Sequence, residues 1–151
     1  MGLNVLIKEI KQEEMDNALS LAWRVFQEYE APDYSKEGVD EFYKSIHDKN
    51  YLSMLTMYGA FVQNELVGVI ATRCEGTHIA LFFVESKYQR QGIGKQLFQT
   101  VKSKCHSEKM TVYSSPFAVQ IYHKLGFQDT NTEQIDNGIR FTPMELVINQ
   151  L

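Results

Sequence analysis

The sequence is poor in cysteine and proline and contains no long apolar run. Its 151 residues include 2 cysteines and 3 prolines. Cys74 and Cys105 stand far apart, without the paired spacing of a zinc site or a disulfide framework. We therefore interpret both as packing residues and expect no metal. No stretch approaches the roughly 20 apolar residues that span a bilayer, so no membrane partner is expected.

An excess of positive charge is also missing. The chain has 15 Lys and Arg residues against 19 Asp and Glu residues, a formal net charge of −4. Nucleic-acid binders gain most of their affinity from clustered Lys and Arg, so this balance argues against a nucleic-acid partner. Residues 1–8 show no basic region followed by an apolar core and a cleavage site, as an export signal would. We therefore expect a cytoplasmic protein.

The rest of the composition is typical of one folded domain. Apolar residues make up 44% of the sequence and charged residues 23%, which are ordinary values for a soluble protein. A chain of this length supports a single domain with one substantial core. We place that domain at residues 1–151.

Apolar periodicity predicts about four helices and about seven strands. The helices are expected at 13–29, 35–48, from the glycine loop onward, and at 116–125. The strands are expected at 3–10, 55–63, 66–73, 78–84, 110–114, from 126 onward, and at 139–148. Short polar turns join the second, third and fourth strands, which predicts an antiparallel meander. Ser35 can cap the second helix, and Pro143 marks an edge, a bulge or a break in the last strand.

The most informative stretch is the junction at residues 89–95, Gln-Arg-Gln-Gly-Ile-Gly-Lys. The N–H groups of a first helical turn have no intrahelical acceptors, and the helix dipole adds partial positive charge there. Such a junction binds anions, and Gly92 and Gly94 remove side chains that would keep a phosphate away from those amides. Basic side chains flank the loop at Lys87, Arg90 and Lys95. The helix that follows has an apolar face made of Ile93, Leu97, Val101 and Cys105.

Two other glycine-rich loops that bind nucleotides lack a defining residue here. The Rossmann fingerprint needs a third glycine where this chain has Leu97. The P-loop needs Ser or Thr after Gly-Lys, and this chain has Gln96. The pattern of Gln89, Gly92 and Gly94 instead resembles Q-x-x-G-x-G, the pyrophosphate-binding motif of the GNAT superfamily of acetyl-CoA-dependent N-acyltransferases.

A second segment carries the same resemblance. Ala118, Tyr122, Gly126 and Phe127 match the family pattern N-x-x-A-x-x-x-Y-x-x-x-G-F, and Ser115 stands where the family often has asparagine. The predicted order of helices and strands is also the family arrangement. The resemblance thus implies the GNAT acyl-CoA N-acyltransferase fold, an α+β, three-layer architecture. Its mixed, mostly antiparallel sheet of about seven strands splays between the fourth and fifth and packs against about four helices.

The resemblance implies acetyl-CoA as co-substrate, with no metal. Family members hold the acetyl carbonyl and the pantetheine arm with main-chain groups of the fourth strand. Counting back from Gly92 gives Phe82 as the oxyanion donor and Phe83 and Val84 as the pantetheine contacts. The residues expected to bind CoA are Phe82, Phe83, Val84, Gln89, Arg90, Gln91, Gly92, Ile93, Gly94, Lys95 and Ser115.

The resemblance also implies catalytic residues. Tyr122 matches the position of the family's usual general acid, and a phenol near the departing CoA sulfur can stabilise or protonate the thiolate. His78 lies fourteen residues before Gly92, where histone-acetylating members have a catalytic glutamate, and its ordinary pKa suits a general base. A merely structural histidine at a strand entrance is the alternative. Glu75 or ordered water are the other candidate bases.

The region between the first two helices forms one wall of the acceptor site in GNAT proteins. In this chain it is rich in carboxylates and aromatic rings, which favour a cation: Glu28, Tyr29, Glu30, Asp33, Tyr34 and Glu37. A solvated acidic loop fits the sequence equally well. Residues 138–144 could form another wall, where Arg140 could pair with a substrate carboxylate. The expected partner is a small-molecule or peptide amine, and a homodimer is possible.

The sequence therefore predicts an enzyme that moves an acetyl group from acetyl-CoA directly to a primary amine. The alternative is a non-catalytic acyl-CoA-binding domain with a sensing or regulatory role. Tyr122 favours the enzyme, because a pure binding site would not require an acid beside the sulfur.

Overall fold

The computed structural model describes residues 4–148 of the protein. Five helices lie within this range: α1 (Met15–Tyr29), α2 (Lys36–Ser45), α3 (Lys49–Ser53), α4 (Ile93–Lys104) and α5 (Val119–Lys124). The strands are β1 (Val5–Glu9), β2 (Thr56–Val62), β3 (Glu65–Arg73), β4 (His78–Val84), β5 (Lys109–Ser114), β6 (Gln128–Asp129), β7 (Gln134–Asp136) and β8 (Ile139–Val147). Leu3, the first residue of the predicted first strand, lies outside the described residues.

The strands form one sheet in the order β1-β2-β3-β4-β5-β8-β6, with β7 paired to β8. β4 and β5 run parallel, whereas the other pairs are antiparallel. This arrangement confirms the predicted mixed, mostly antiparallel sheet and the meander of β2, β3 and β4. The structure has one strand and one helix more than the approximate numbers predicted.

The splay between the fourth and fifth strands is present. β4 and β5 pair only at His78 with Thr111 and at Ile79 with Val112. On the other side of β4 the register shifts, which leaves Ala80 as an extra, bulged residue. Bulges increase the local twist and disrupt the ladder. The two strands diverge beyond this point and open a cleft between them.

Helices cover both faces of the sheet. Ile70 of β3 belongs to the apolar cluster that includes α4 and α5. Its neighbours Val69 and Ala71 belong to the cluster that includes α1, as expected for side chains that alternate along a strand. The predicted apolar face of α4 is confirmed, because each of its members is buried: Ile93, Leu97, Val101 and Cys105.

Several local predictions need correction. Cys105 is buried but Cys74 is exposed, since it lies in the β3–β4 turn with φ 56°; the prediction that both cysteines pack is wrong for Cys74. α5 begins at Val119 rather than at residue 116. The chain continues through Pro143 without a break in β8. This proline lies opposite Thr130, one residue beyond the end of β6.

Two short elements were not predicted. α3 is capped by Asp48, whose carboxylate accepts the N–H groups of Asn50 and Tyr51, but five residues are too few for a clear period. β7 pairs with β8 across a two-residue turn, Asn137-Gly138, with φ values of 52° and 80°. Asn-Gly is a strong hairpin signal. The predicted cap of α2 is confirmed, because Ser35 Oγ accepts the N–H of Gly38 at 3.3 Å.

Candidate active site

The cleft between β4 and β5 contains a cavity of about 220 Å³. Its walls come from the end of α1, from α2 and α3, from the ends of β3 and β5, from β4 and from α5. Polar side chains that line it include Glu30, Tyr34, Arg73, His78, Ser115 and Tyr122. The fold therefore brings the two predicted catalytic residues, Tyr122 and His78, to one cavity.

The glycine loop is shaped by backbone conformations that few residues adopt. Gly92 is the N-cap of α4 with φ 84°, and Arg90 also has a positive φ of 63°. Gln89 Nε2 donates to the carbonyl of Val84 and Gln91 Nε2 donates to that of Lys87, each at 2.9 Å. These two glutamines therefore hold the loop in place through its own main chain.

The start of α4 has space for an anion. The first intrahelical hydrogen bond runs from the Gln96 N–H to the Gly92 carbonyl, so the N–H groups of residues 93–95 precede it. A Cβ atom built on Gly92 would meet no atom within 4 Å. The loop geometry thus fits the diphosphate of a nucleotide on the side where Gly92 lacks a side chain.

Gly94 faces a different surface. A Cβ atom there would lie 3.5 Å from the ring of Phe82 and 3.8 Å from Val84. A side chain at this position would therefore extend across the end of β4. Glycine keeps open the route from the helix start to the cleft.

The main chain of β4 alternates between its two neighbours. The N–H of Glu85 donates to Val67 on β3, so alternation directs the main-chain groups of Phe83 to β3 and those of Phe82 and Val84 to the splayed side. The Val84 carbonyl accepts its bond from Gln89 there. The orientation suits Phe82 as an oxyanion donor and Val84 as a pantetheine contact. It does not favour Phe83, whose main chain already faces β3.

Tyr122 is buried, 5% exposed, and its ring centroid lies 6.1 Å from that of Phe82. Burial raises the pKa of its phenol well above the ordinary value, and the nearby negative charge of Glu30 raises it further. The phenol is consequently protonated throughout the physiological pH range. It can donate a hydrogen bond or a proton to a group bound beside Phe82.

His78 is held by its surroundings as a neutral imidazole. Its Nδ1 lies 2.8 Å from the hydroxyl of Thr111, and its ring packs against Tyr113 with centroids 4.6 Å apart. Burial lowers the pKa of His78 to about 4, and the positive charge of Arg73 contributes in the same direction. A histidine this acidic is a weak base at neutral pH. Glu75 lies in the exposed β3–β4 turn and does not line the cavity.

Glu30 is a candidate functional residue that the sequence did not distinguish. It ends α1 and lines the cavity with Ser115 and Tyr122. Burial raises the pKa of its carboxyl to about 8; the Ser115 hydroxyl opposes this shift and the charge of Asp33 adds to it. Perturbed carboxyls of this kind are common among catalytic bases.

The rest of the predicted acceptor wall contributes little charge to the cavity. Glu28, Asp33 and Glu37 are exposed, and they do not line it. Tyr34 does line it, and its hydroxyl donates to the main-chain carbonyl of Arg140 at 3.1 Å. The carboxylates expected to form a wall are therefore spread over the surface, with Glu30 the exception.

Arg140 is engaged within the protein. Its guanidinium donates to the carboxylate of Glu133 at 3.0 Å and to the main-chain carbonyl of Asp33 at 2.8 Å. Ser115, in contrast, has the local role expected of a cap, since its Oγ accepts the Ala118 N–H at 3.3 Å. The residue therefore shapes the turn that leads into α5.

The sequence itself decides the family. A family model described as "Acetyltransferase (GNAT) domain" matches residues 30–148. The chain belongs to the GNAT acetyltransferase family. The resemblance inferred from the glycine loop and from the Tyr122 segment is thereby confirmed.

Solved GNAT structures share the fold of this GNAT protein. A GCN5-related N-acetyltransferase from Rhodopseudomonas palustris superimposes with a TM-score of 0.84 at 19% identity, covering 98% of this chain and 99% of that one. The PaiA N-acetyltransferase of Thermoplasma acidophilum, in complex with coenzyme A, gives 0.76 at 19% identity, with 97% and 100% covered. An Elizabethkingia anophelis GNAT acetyltransferase with acetyl-CoA bound gives 0.60 at 24% identity, with 96% and 99% covered. No curated protein sequence matches the chain.

Two further properties concern the described part of this GNAT domain. None of the helices between residues 4 and 148 has the length and apolar character needed to cross a membrane. Within the same range, no three His, Cys, Asp or Glu side chains are grouped as a metal site would require.

Proposed function

We propose that this protein is an N-acetyltransferase that moves an acetyl group from acetyl-CoA directly to a primary amine. The observation that carries the proposal is continuity between the anion-binding loop and the cavity. Gly92 opens the helix start, Gly94 faces Phe82 and Val84, and Phe82 lies beside Tyr122. An extended thioester bound along this route would present its reactive carbon to the cavity.

The chain offers suitable groups for the diphosphate and the pantetheine arm of CoA. The amides of residues 93–95 and the basic side chains of Arg90 and Lys95 suit the diphosphate. The outward main-chain groups of Val84 suit the amides of the pantetheine arm. The coenzyme A and acetyl-CoA bound to the Thermoplasma and Elizabethkingia proteins support this choice of co-substrate.

The proposed chemistry at the thioester uses two groups of the chain. The amine nitrogen attacks the thioester carbon, and the Phe82 N–H stabilises the negative charge that develops on the oxygen. As the new C–N bond forms and the C–S bond breaks, Tyr122 donates its proton or a hydrogen bond to the departing sulfur. Neither cysteine lines the cavity, which supports direct transfer rather than a covalent enzyme intermediate.

Glu30 is our preferred general base. An alkylamine with a pKa near 10.4 is mostly protonated at neutral pH, so a carboxylate beside Tyr122 can bind the ammonium group and accept its proton. His78, predicted as the base, lies beside Thr111 at the other end of the cavity. Because the pKa of His78 is lowered to about 4, this histidine is a weaker base than Glu30 and is the second candidate.

The pH dependence of turnover separates these two bases. With Glu30 as base, kcat/KM rises with pH until about 8, the pH at which that carboxyl ionises, because only the carboxylate accepts a proton. Glu30→Gln is expected to remove this limb and to lower kcat/KM by roughly tenfold at pH 8.5, with a smaller loss at pH 7. Initial rates from pH 5 to 9.5 with one amine give the profile.

Two variants serve as controls for the pH profile. Glu28→Gln removes an exposed carboxylate from the same helix and is expected to leave the profile unchanged. His78→Asn is expected to keep the limb near pH 8. A profile of the parent protein without a limb near pH 8, together with a loss of activity in His78→Asn, would assign the base to His78 instead.

Acetyl-CoA consumption across a panel of primary amines tests the function itself. The enzyme is expected to release one CoA thiol per acetylated amine and to release little without an acceptor. The alternative, a non-catalytic acyl-CoA-binding domain, predicts calorimetric binding of acetyl-CoA but no thiol release with any amine.

A cytoplasmic location and a homodimer stay predictions.

A further inference from the structure

We infer that the acceptor amine also carries an oxyanion, a carboxylate or a phosphate, which Arg73 binds at the end of the cavity remote from Glu30. The inference rests on the proposed function and specifies the acceptor class. It follows from an arginine that lines the cavity without a partner among the residues described.

Arg73 is the last residue of β3 and pairs across the sheet with His78. Its Nε is buried and has no hydrogen-bond acceptor within the described range. A buried N–H without an acceptor is a net cost to the folded state, and such groups in native proteins call for an explanation. Because this Nε has almost no accessible surface, a ligand oxygen in the cavity that Arg73 lines is expected at the terminal nitrogens of the guanidinium, where its negative charge offsets the cost of the unpaired Nε.

Two other arginines of the chain have guanidinium groups that are hydrogen-bonded to acceptors of the protein. Arg140 donates to Glu133 and to the Asp33 carbonyl, and Arg24 is paired with Glu85. Arg73 has no such ion pair among residues 4–148. The planar fork of its guanidinium matches two oxygens of a carboxylate or phosphate.

The surroundings of Arg73 favour a negative ligand group. Tyr51 of α3 and His78 both line the cavity, and His78 is the cross-strand partner of Arg73. Burial raises the pKa of Tyr51 and lowers that of His78, and the positive charge of Arg73 opposes the first shift and adds to the second, so the guanidinium lies close to both. No carboxylate side chain lines this end. The carboxylate of the cavity wall belongs to Glu30, which lies near Ser115 and Asp33.

The two charged groups mark opposite ends of the cavity. Thr111 lies beside His78, and Ser115 lies beside Glu30, to which its hydroxyl is hydrogen-bonded. These two residues are four positions apart on one chain, roughly 13 Å when extended. An acceptor that reaches both ends has its amine at Glu30 and its oxyanion several bonds away at Arg73. An extended ω-amino acid or aminoalkyl phosphate has this form, whereas a diamine does not.

Acceptors of matched length test the inference. The set is ε-aminocaproate, its neutral amide ε-aminocaproamide, and aminohexyl phosphate, each with saturating acetyl-CoA. We expect KM at least tenfold lower for one of the two anionic acceptors than for the amide, with kcat changed less. The carboxylate and phosphate arms identify which oxyanion is preferred. Equal KM values for the amide and both anions would overturn the inference.

Arginine variants assign the preference to a residue. Arg73→Gln is expected to abolish the preference for the anion and to leave kcat/KM for the amide within about threefold. Arg73→Lys keeps the charge but loses the planar fork of the guanidinium, so an intermediate preference for the anion is expected. Arg73→Lys also replaces Arg73→Gln in the test if Arg73→Gln does not fold. Arg140→Gln, the matched control, is expected to keep the full preference. Persistence of the preference in Arg73→Gln, or its loss in Arg140→Gln alone, would refute the role of Arg73.

Thermal unfolding adds a readout that is independent of turnover. Without an acceptor present, Arg73→Gln is expected to have a Tm equal to or above that of the parent protein, because a buried unpaired donor is removed. If Arg73→Gln lowers Tm strongly, Arg73→Lys carries the test, and an undiminished preference for the anion in Arg73→Lys contradicts the inference. If no amine of any kind is acetylated, the proposed function itself fails; acetylation of the amide with no oxyanion preference refutes only the Arg73 site.

Discussion

Replacing Tyr122 with phenylalanine is expected to lower kcat at least about a hundredfold, within the range lost when a general acid is removed. In the proposed reaction the hydroxyl lies beside the departing CoA sulfur, and burial keeps the phenol protonated. The ring, which packs against Phe82 and Phe127, is retained in the variant. Binding of CoA should therefore persist, and the loss should be similar from pH 6 to pH 9.

Single-turnover and steady-state rates, together with calorimetry for CoA, measure this effect. Tyr113→Phe is the matched control, because it removes the hydroxyl of another tyrosine that lines the cavity and is 55% exposed. Its kcat is expected to stay within about twofold of the parent value. A Tyr122→Phe enzyme with normal kcat would remove this phenol from the mechanism.

The loop and helix to which we assign anion binding could be predicted because their pattern is local. Ile93, Leu97 and Val101 repeat at helical spacing, and all three are buried. Gly92 stands immediately before them with the positive φ that glycine adopts most readily. The splay of β4 from β5 was predicted from the family resemblance. Residues 78–84 alone do not indicate on which side β4 separates from the adjacent strand.

The role proposed for Glu30 could not be predicted from the sequence, because Glu28 and Glu30 stand two positions apart in the same acidic segment. The direction in which α1 ends decides which carboxylate faces the cavity, and that direction depends on packing of the whole helix against the sheet. The same holds for Arg73. Its neighbour Tyr51 is 22 positions away and lies on α3, a helix too short to show a period.

His78 illustrates how burial alters a prediction made from residue type. Histidine at this position has an ordinary pKa suited to base catalysis, and the structure does bring it to the cavity. Removal from water and the charge of Arg73 then lower that pKa to about 4. Removal from water has the opposite effect on a carboxyl, whose pKa it raises. The same cavity therefore makes Glu30 a stronger base than a carboxylate in water.

Gly92→Glu is expected to abolish CoA binding. The Cβ position at Gly92 points into open space within 4 Å, where we place the diphosphate, and a carboxylate there would occupy the site and repel the phosphates. The φ of 84° also strains any side chain, by about 1 kcal/mol. Gly76→Glu controls for that strain, since Gly76 has φ 86° and equally open surroundings but lies in the β3–β4 turn, far from the loop along the chain.

Calorimetric titration of the purified protein with CoA is the most direct test that the amides beginning α4 hold a nucleotide diphosphate. The parent protein and Gly76→Glu should bind CoA with similar Kd, and Gly92→Glu should give no heat of binding while remaining folded. Absence of binding to the parent protein, or undiminished binding to Gly92→Glu, would contradict the assignment of this loop.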